Sequence, residues 1–228
     1  MKLQNLLFSS VFLFSVSLLI HSCGSSVYMA RYDVKLSSVE TPTDIKQPYG
    51  ESRITQISEE ANDGKNLFLL NKYEYADEYI GITWYYNTTQ LEFELKNLSG
   101  HTLKINWDDI SYMDYHGNVS RIMHKGVKYS EREKPQGSIS IPKGGRISDI
   151  IVPVVNVYFD SGVSGLVPAQ WKQTAMIPCY YKKKEAMEND IANKVWIGRK
   201  IKVLFPIEIE GVKNDYSFEF TVDAPLNP

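Results

Sequence analysis

The sequence predicts an all-β protein, an antiparallel sandwich with one short helical insertion. From Lys65 onward, short segments rich in Tyr, Ile, Val, Phe and Trp recur at roughly ten-residue spacing, separated by Gly, Asn and Pro. Several of them alternate with period two. Leu91, Phe93 and Leu95 face one way in "LEFELKN", and Glu92, Glu94 and Lys96 the other. Only "KKKEAMENDIANK", residues 182–194, reads as helix, through Ala186, Met187 and Ile191.

The elements follow in chain order. Residues 1–22 begin with the single cation Lys2, continue through an apolar run from Leu6 to Ile20, and end in His21 and Ser22 before Cys23. That is the layout of a secretory signal. A permanent transmembrane helix is the competing reading. Against it, the run falls short of the ~20 residues needed to span a bilayer, and no basic stop-transfer cluster flanks it.

The junction "LIHSC" resembles a bacterial lipobox. Leu19 or Ile20 supplies the aliphatic element, Ser22 the small residue, and Cys23 the acylated nucleophile. The tail "CGSS" is similar to those of lipoproteins of the Bacteroidota. The resemblance implies cleavage before Cys23 and a palmitate-type lipid anchor. One acyl chain binds a membrane marginally, whereas two or three hold nearly permanently. Gly24 in place of Asp implies the outer membrane. The late first acidic residue, Asp33, implies the periplasmic face. The expected organisation is a lipoprotein signal peptide over 1–22, a lipidated cysteine and flexible tether over 23–64, and a β-sandwich domain over 65–228. The tether reading rests on Pro42, Pro48, Gly50 and several Ser and Thr, with one short strand expected at Arg53–Ile57.

With Cys23 acylated, Cys179 is the remaining cysteine of the two, so no intrachain disulfide can form. Its setting, "AMIPCYY", suggests a buried thiol, with an intermolecular bond as the alternative. Cleavage would remove Lys2 alone among the charges and take the formal net charge from −2 to −3. Such a balance carries no nucleic-acid footprint.

Strands are expected in "LFLLNKYEY" and "YIGITWYY", broken at Asp77–Glu78, and in "LEFELKN". After the turn "NLSGHT", "LKINWDDISYMDY" reads as one long strand. His116–Asn118 is the expected hairpin loop, with "VSRIMHKGVKY" returning. "RISDIIVP" follows the turn "IPKGG". "KIKVLFPIEIE" and "DYSFEFTV" form a final hairpin with Tyr216, Phe218, Phe220 and Val222 inward, and Pro206 marks an edge or a bulge.

Over residues 70–223, the runs "LEFELKNLSGHTLKINWDDISYMDYHGNVSRIMHKGVKY", "IPKGGRISDIIVPVVNVYF" and "VKNDYSFEFTV" resemble an uncharacterised family of bacterial exported proteins and lipoproteins. The resemblance implies an immunoglobulin-like sandwich and carries no activity.

Asp108, Asp109, Asp114, His116 and His124 are the residues with the chemistry for a metal or acid–base site. On the expected hairpin, His116 lies ~25 Å from His124 along the ladder, at ~3.3 Å per residue. Only Asp108 or Asp109 could then join His124. The bland reading is a solvated hairpin with a hydrogen-bonded histidine. No G-x-S-x-G elbow or phosphate-loop spacing occurs. Fifteen tyrosines, with Trp84, Tyr85, Tyr86, Tyr180 and Tyr181 in pairs and triplets, are candidates for a recognition surface; cross-strand pairs that only brace the sheet are the alternative. The expected function is a non-enzymatic envelope module that binds a protein or glycan or serves as an envelope assembly part, with no cofactor. The alternative is a hydrolase or metal-dependent enzyme near His124. A shared deep pocket holding His124 and a carboxylate would favour the enzyme, and a flat aromatic patch the binding module.

Overall fold

The structure, a computed structural model, describes residues 27–42, 54–62 and 67–226. The leader 1–22, Cys23 and residues 43–53 lie outside the described residues. The strands are β1 (Tyr28–Met29), β2 (Arg31–Glu40), β3 (Thr55–Asn62), β4 (Leu67–Ala76), β5 (Ile80–Asn87), β6 (Gln90–Asn97), β7 (Leu103–Asn106), β8 (Ser111–Met113), β9 (Val119–Met123), β10 (Ser138–Ile141), β11 (Arg146–Pro153), β12 (Val157–Asp160), β13 (Gln170–Gln173), β14 (Tyr180–Tyr181), β15 (Lys200–Ile209) and β16 (Val212–Leu226). Among the described residues one α-helix, α1 (Lys184–Ala192), precedes β15. Among the described residues no helix is long and apolar enough to cross a membrane.

The fold is the expected all-β sandwich with a short helix. One layer runs β3–β4–β5–β6–β11, all antiparallel. The other is built on β15, which pairs β16 along its whole length, while β16 pairs β2 in turn. A short ladder, Met123↔Val152 and Ile122↔Pro153, curls the layers into one another. Alternation dictates what lies between them. Leu91, Phe93 and Leu95 are buried from β6, and Tyr216, Phe218, Phe220 and Val222 from β16. Trp84 sits at the centre, with the rings of Phe93, Phe205, Phe218 and Phe220 at centroid distances of 5.2, 6.1, 5.0 and 5.5 Å. Burying each such side chain contributes about 1.5–3 kcal/mol.

Four expectations need correction. Within the segment assigned to a tether, the described residues 27–42 and 54–62 supply structure. Its β2 pairs β16 from Arg31↔Leu226 to Ser217↔Glu40 and buries Val34 and Leu36, while β3 pairs β4 over its full length. Pro42, Pro48, Gly50 and Ser52 mark the connection between β2 and β3, and they mask the alternation in "RYDVKL".

The long strand expected over 103–115 is two strands. A 3-10 turn at Trp107–Asp109 separates β7 from β8, started by the Asn106 side chain accepting from the Asp108 N–H. Both pieces line the same edge of β15. Pro206 faces that break, between the pairings Leu204↔Ser111 and Glu208↔Lys104. It therefore occupies an interior strand, not an edge. A residue that cannot donate sits where neither β7 nor β8 pairs with β15.

The β8–β9 hairpin is shifted by one residue. Met113 pairs Val119, and the Asp114 N–H donates to the Asn118 carbonyl. The loop is thus Tyr115–Gly117, not His116–Asn118. The Asp114 carboxylate accepts from the N–H groups of His116 and Asn118, and Gly117 supplies the positive φ of 88° that closes the turn.

Candidate functional site

The acidic and histidine residues singled out above are not one site. Asp108 Oδ1 accepts from the Arg121 guanidinium at 2.6 Å, and its Oδ2 accepts from the N–H groups of Gln136 and Gly137. Burial pushes this carboxyl up, but those N–H groups and Arg121 outweigh it and hold it below its usual range. Asp109 turns the other way and pairs with Lys213 at 3.0 Å. His124 meets neither. Its ring stacks on Trp107, 4.3 Å between centroids and 5° from parallel, and its Nδ1 lies 3.3 Å from Asp149 Oδ2. The possible pairing of His124 with Asp108 or Asp109 does not form: Arg121 and two backbone N–H groups take the Asp108 carboxylate, and Lys213 takes that of Asp109. Asp149 Oδ1 accepts from the N–H groups of Lys125 and Ile150, so that oxygen holds backbone while Oδ2 faces the histidine. Asp114 and His116 stay in their turn. Among the described residues no group of three or more His, Cys, Asp or Glu could hold a metal ion.

The aromatic candidates also disperse. Trp84 is core. Tyr86 points the same way, and its hydroxyl meets the backbone of Ile177. Tyr181 is half-buried; it donates to Asp190 and accepts from the indole N–H of Trp196. Tyr180 is exposed. Tyr85 alone of the "WYY" run faces outward, as period two requires. Cys179 is buried, and burial pushes its thiol up to about 11.

Around Tyr85 the outer face of the β3–β4–β5–β6–β11 layer forms an open groove of about 660 Å³. Register sets its floor. Ile57, Lys72, Tyr85, Glu92 and Ile150 lie directly opposite one another across five strands. A second row beside it places Thr83, Glu94 and Ser148 in line. Neighbouring strands stand ~4.8 Å apart, so the row presents apolar, cationic, phenolic, acidic and apolar groups within ~20 Å. Burial, with the Glu92 carboxylate nearby, raises the Tyr85 hydroxyl above its ordinary range and keeps it a proton donor. Glu92 accepts from the Gln90 side-chain amide at 2.9 Å, which fixes its direction. Lys125 and Asp149 close one side of the groove; His124 is outside its lining.

Sequence reading missed this site, Tyr85 excepted. Glu92, Glu94 and Lys72 occupy the polar half of an alternating pattern, which reads as a plain solvated face. The signal lies in the register: only strand pairing brings Ile57 and Ile150 into line with Tyr85. No family model, curated protein or solved structure matches the chain.

Proposed function

We propose that this protein is a lipid-anchored module of the cell envelope, held by Cys23 in the outer membrane, that binds a glycan strand along the groove over Tyr85. The observation that carries the binding reading is the transverse row Lys72–Tyr85–Glu92–Ile150. An aromatic ring flanked by a cation, a carboxylate and neutral hydroxyls offers stacking and paired hydrogen bonds to a polyhydroxylated chain. An open groove across a sheet accepts an extended polymer without needing a closed cavity. The apolar leader and "LIHSC" support the anchor. The commitment of Asp108, Asp109, His124 and Asp149 to structural partners weighs against the hydrolase alternative.

The test is co-sedimentation of the full chain with purified cell-wall sacculi and with isolated surface polysaccharide. Binding should be lost in Tyr85→Ala and weakened in Glu92→Gln, with both variants melting like the parent. Equal sedimentation of parent and Tyr85→Ala on every glycan tried would reject the groove as the site.

A further inference from the structure

Val27, the first described residue, stands four residues beyond Cys23. That stretch reaches at most ~14 Å at ~3.5 Å per residue. The chain then enters β1, which forms a two-stranded ribbon with β14 in the register Tyr28↔Tyr181 and Met29↔Tyr180. The inner side of the ribbon is fixed to the body. The Ala30 N–H donates to the Cys179 carbonyl at 2.8 Å, Ala30 and Cys179 are buried, and Tyr181 is held by Asp190 and Trp196.

The outer side is bare. Met29 and Tyr180 are directly opposed cross-strand neighbours, 41% and 53% exposed, and Val27 beside them is 64% exposed. Lys182 and Lys183 follow Tyr180 within three residues and are exposed. Apolar side chains, a tyrosine and adjacent lysines are the composition of a bilayer interface: the apolar groups enter the acyl boundary, the phenol sits at headgroup depth, and the cations meet anionic phosphates.

We propose that the outer face of the β1–β14 ribbon lies on the bilayer that holds the acyl chains of Cys23, with Val27, Met29 and Tyr180 in the interface and Lys182 and Lys183 on anionic headgroups. The inference rests on the lipid-anchor reading of Cys23. The short stretch after that cysteine argues for lipid over a protein partner, because it leaves the ribbon little room to stand off from the membrane. β2 starts at Arg31, directly after the ribbon, and β16 pairs with it from Leu226 back. The sandwich thus continues from the ribbon through β2 and β16.

The full lipidated chain is reconstituted into phosphatidylethanolamine vesicles containing phosphatidylglycerol. Single cysteines, Met29→Cys, Tyr180→Cys and Val212→Cys, carry an environment-sensitive fluorophore. Val212 is 64% exposed at the far end of β16 and serves as the distant control. The unsubstituted chain, whose Cys179 is buried, is the labelling blank. Probes at 29 and 180 should emit to the blue of the probe at 212. Lipids with spin-labelled acyl chains should quench them several-fold more. The mass of the N-terminal peptide reports acylation of Cys23 separately. Acylated chain with equal quenching at all three positions overturns the docking proposal alone. A blue shift at 29 and 180 without lipid quenching also overturns it, since it places protein on that face. An unacylated N-terminus overturns the anchor reading and the docking with it.

Discussion

The hydroxyl of Tyr216, on β16, donates to the Asp77 carboxylate at 2.9 Å, across the core from one layer to the other. Asp77 is buried in the β4–β5 turn. It also accepts from the Tyr75 hydroxyl and from the N–H groups of Tyr79 and Ile80. Four donors on one carboxylate thus shape a turn and join the two sheets. Tyr216→Phe should lower unfolding free energy by about 1–3 kcal/mol, the cost of leaving a buried acceptor short of a donor. Asp77→Ala should cost more, because it orphans both phenols and the turn. Urea melts of the two variants check this; parental stability in Tyr216→Phe would show that the bond contributes nothing net.

Trp107 and His124 form the second joint. The Gln136 side chain accepts from the His124 N–H and donates to the Ile122 carbonyl, so the histidine is clamped from backbone, ring face and Nδ1. Trp107→Ala should cost about 3–5 kcal/mol. His124→Ala should cost about 1–3 kcal/mol. Thermal melts and metal analysis on His124→Ala separate structure from catalysis. A stoichiometric metal present in the parent and lost in an otherwise folded variant would revive the enzyme reading.

Truncation tests the corrected domain boundary. A chain starting at Lys65 lacks β2 and β3, exposes the edge of β16 and strips the cover from its core. It should aggregate or show no cooperative transition. A chain starting at Gly24 keeps every described strand and should melt cooperatively with a β-type circular dichroism spectrum. Cooperative melting of the shorter chain would restore the tether.

Acid should unfold the protein through specific carboxylates. Burial pushes Asp108, Asp114 and Glu219 up, but their donors outweigh it and all three lie below the usual range. The donors are the Gln136 and Gly137 N–H groups with Arg121, the Asn118 and His116 groups, and Lys200 with Lys202, respectively. A lowered folded pKa contributes stability above the unfolded value, near ~4, and loses it as pH falls through the folded value. Melting temperature should hold from about pH 7 to about pH 5 and drop below about pH 4. Arg121→Met should remove part of that drop; an unchanged acid profile would detach Asp108 from it.

Much of the sandwich was legible because alternation is a local property. "LEFELKN" and "DYSFEFTV" each name their buried face without knowledge of any partner. What stayed hidden depends on pairing. Glu219 reads as an outward residue, yet Lys200 and Lys202 across β15 cover it. β2 reads as linker because Tyr32, Val34 and Leu36 count as core only once β16 lies beside them. The one-residue shift at Tyr115–Gly117 depends on Asp114, whose side chain captures the turn and moves the loop. The groove was illegible for the same reason: its row is written across five strands, with one residue from each.

The anchor at Cys23 is the premise that joins groove, ribbon and location. The most direct measurement is the intact mass of the N-terminal peptide of protein extracted from native membranes. The account predicts a peptide beginning at Cys23 that carries two or three acyl chains, and a Cys23→Ala chain that leaves the membrane fraction without them. An unmodified N-terminus at another residue, or unchanged membrane extraction of Cys23→Ala, would contradict it.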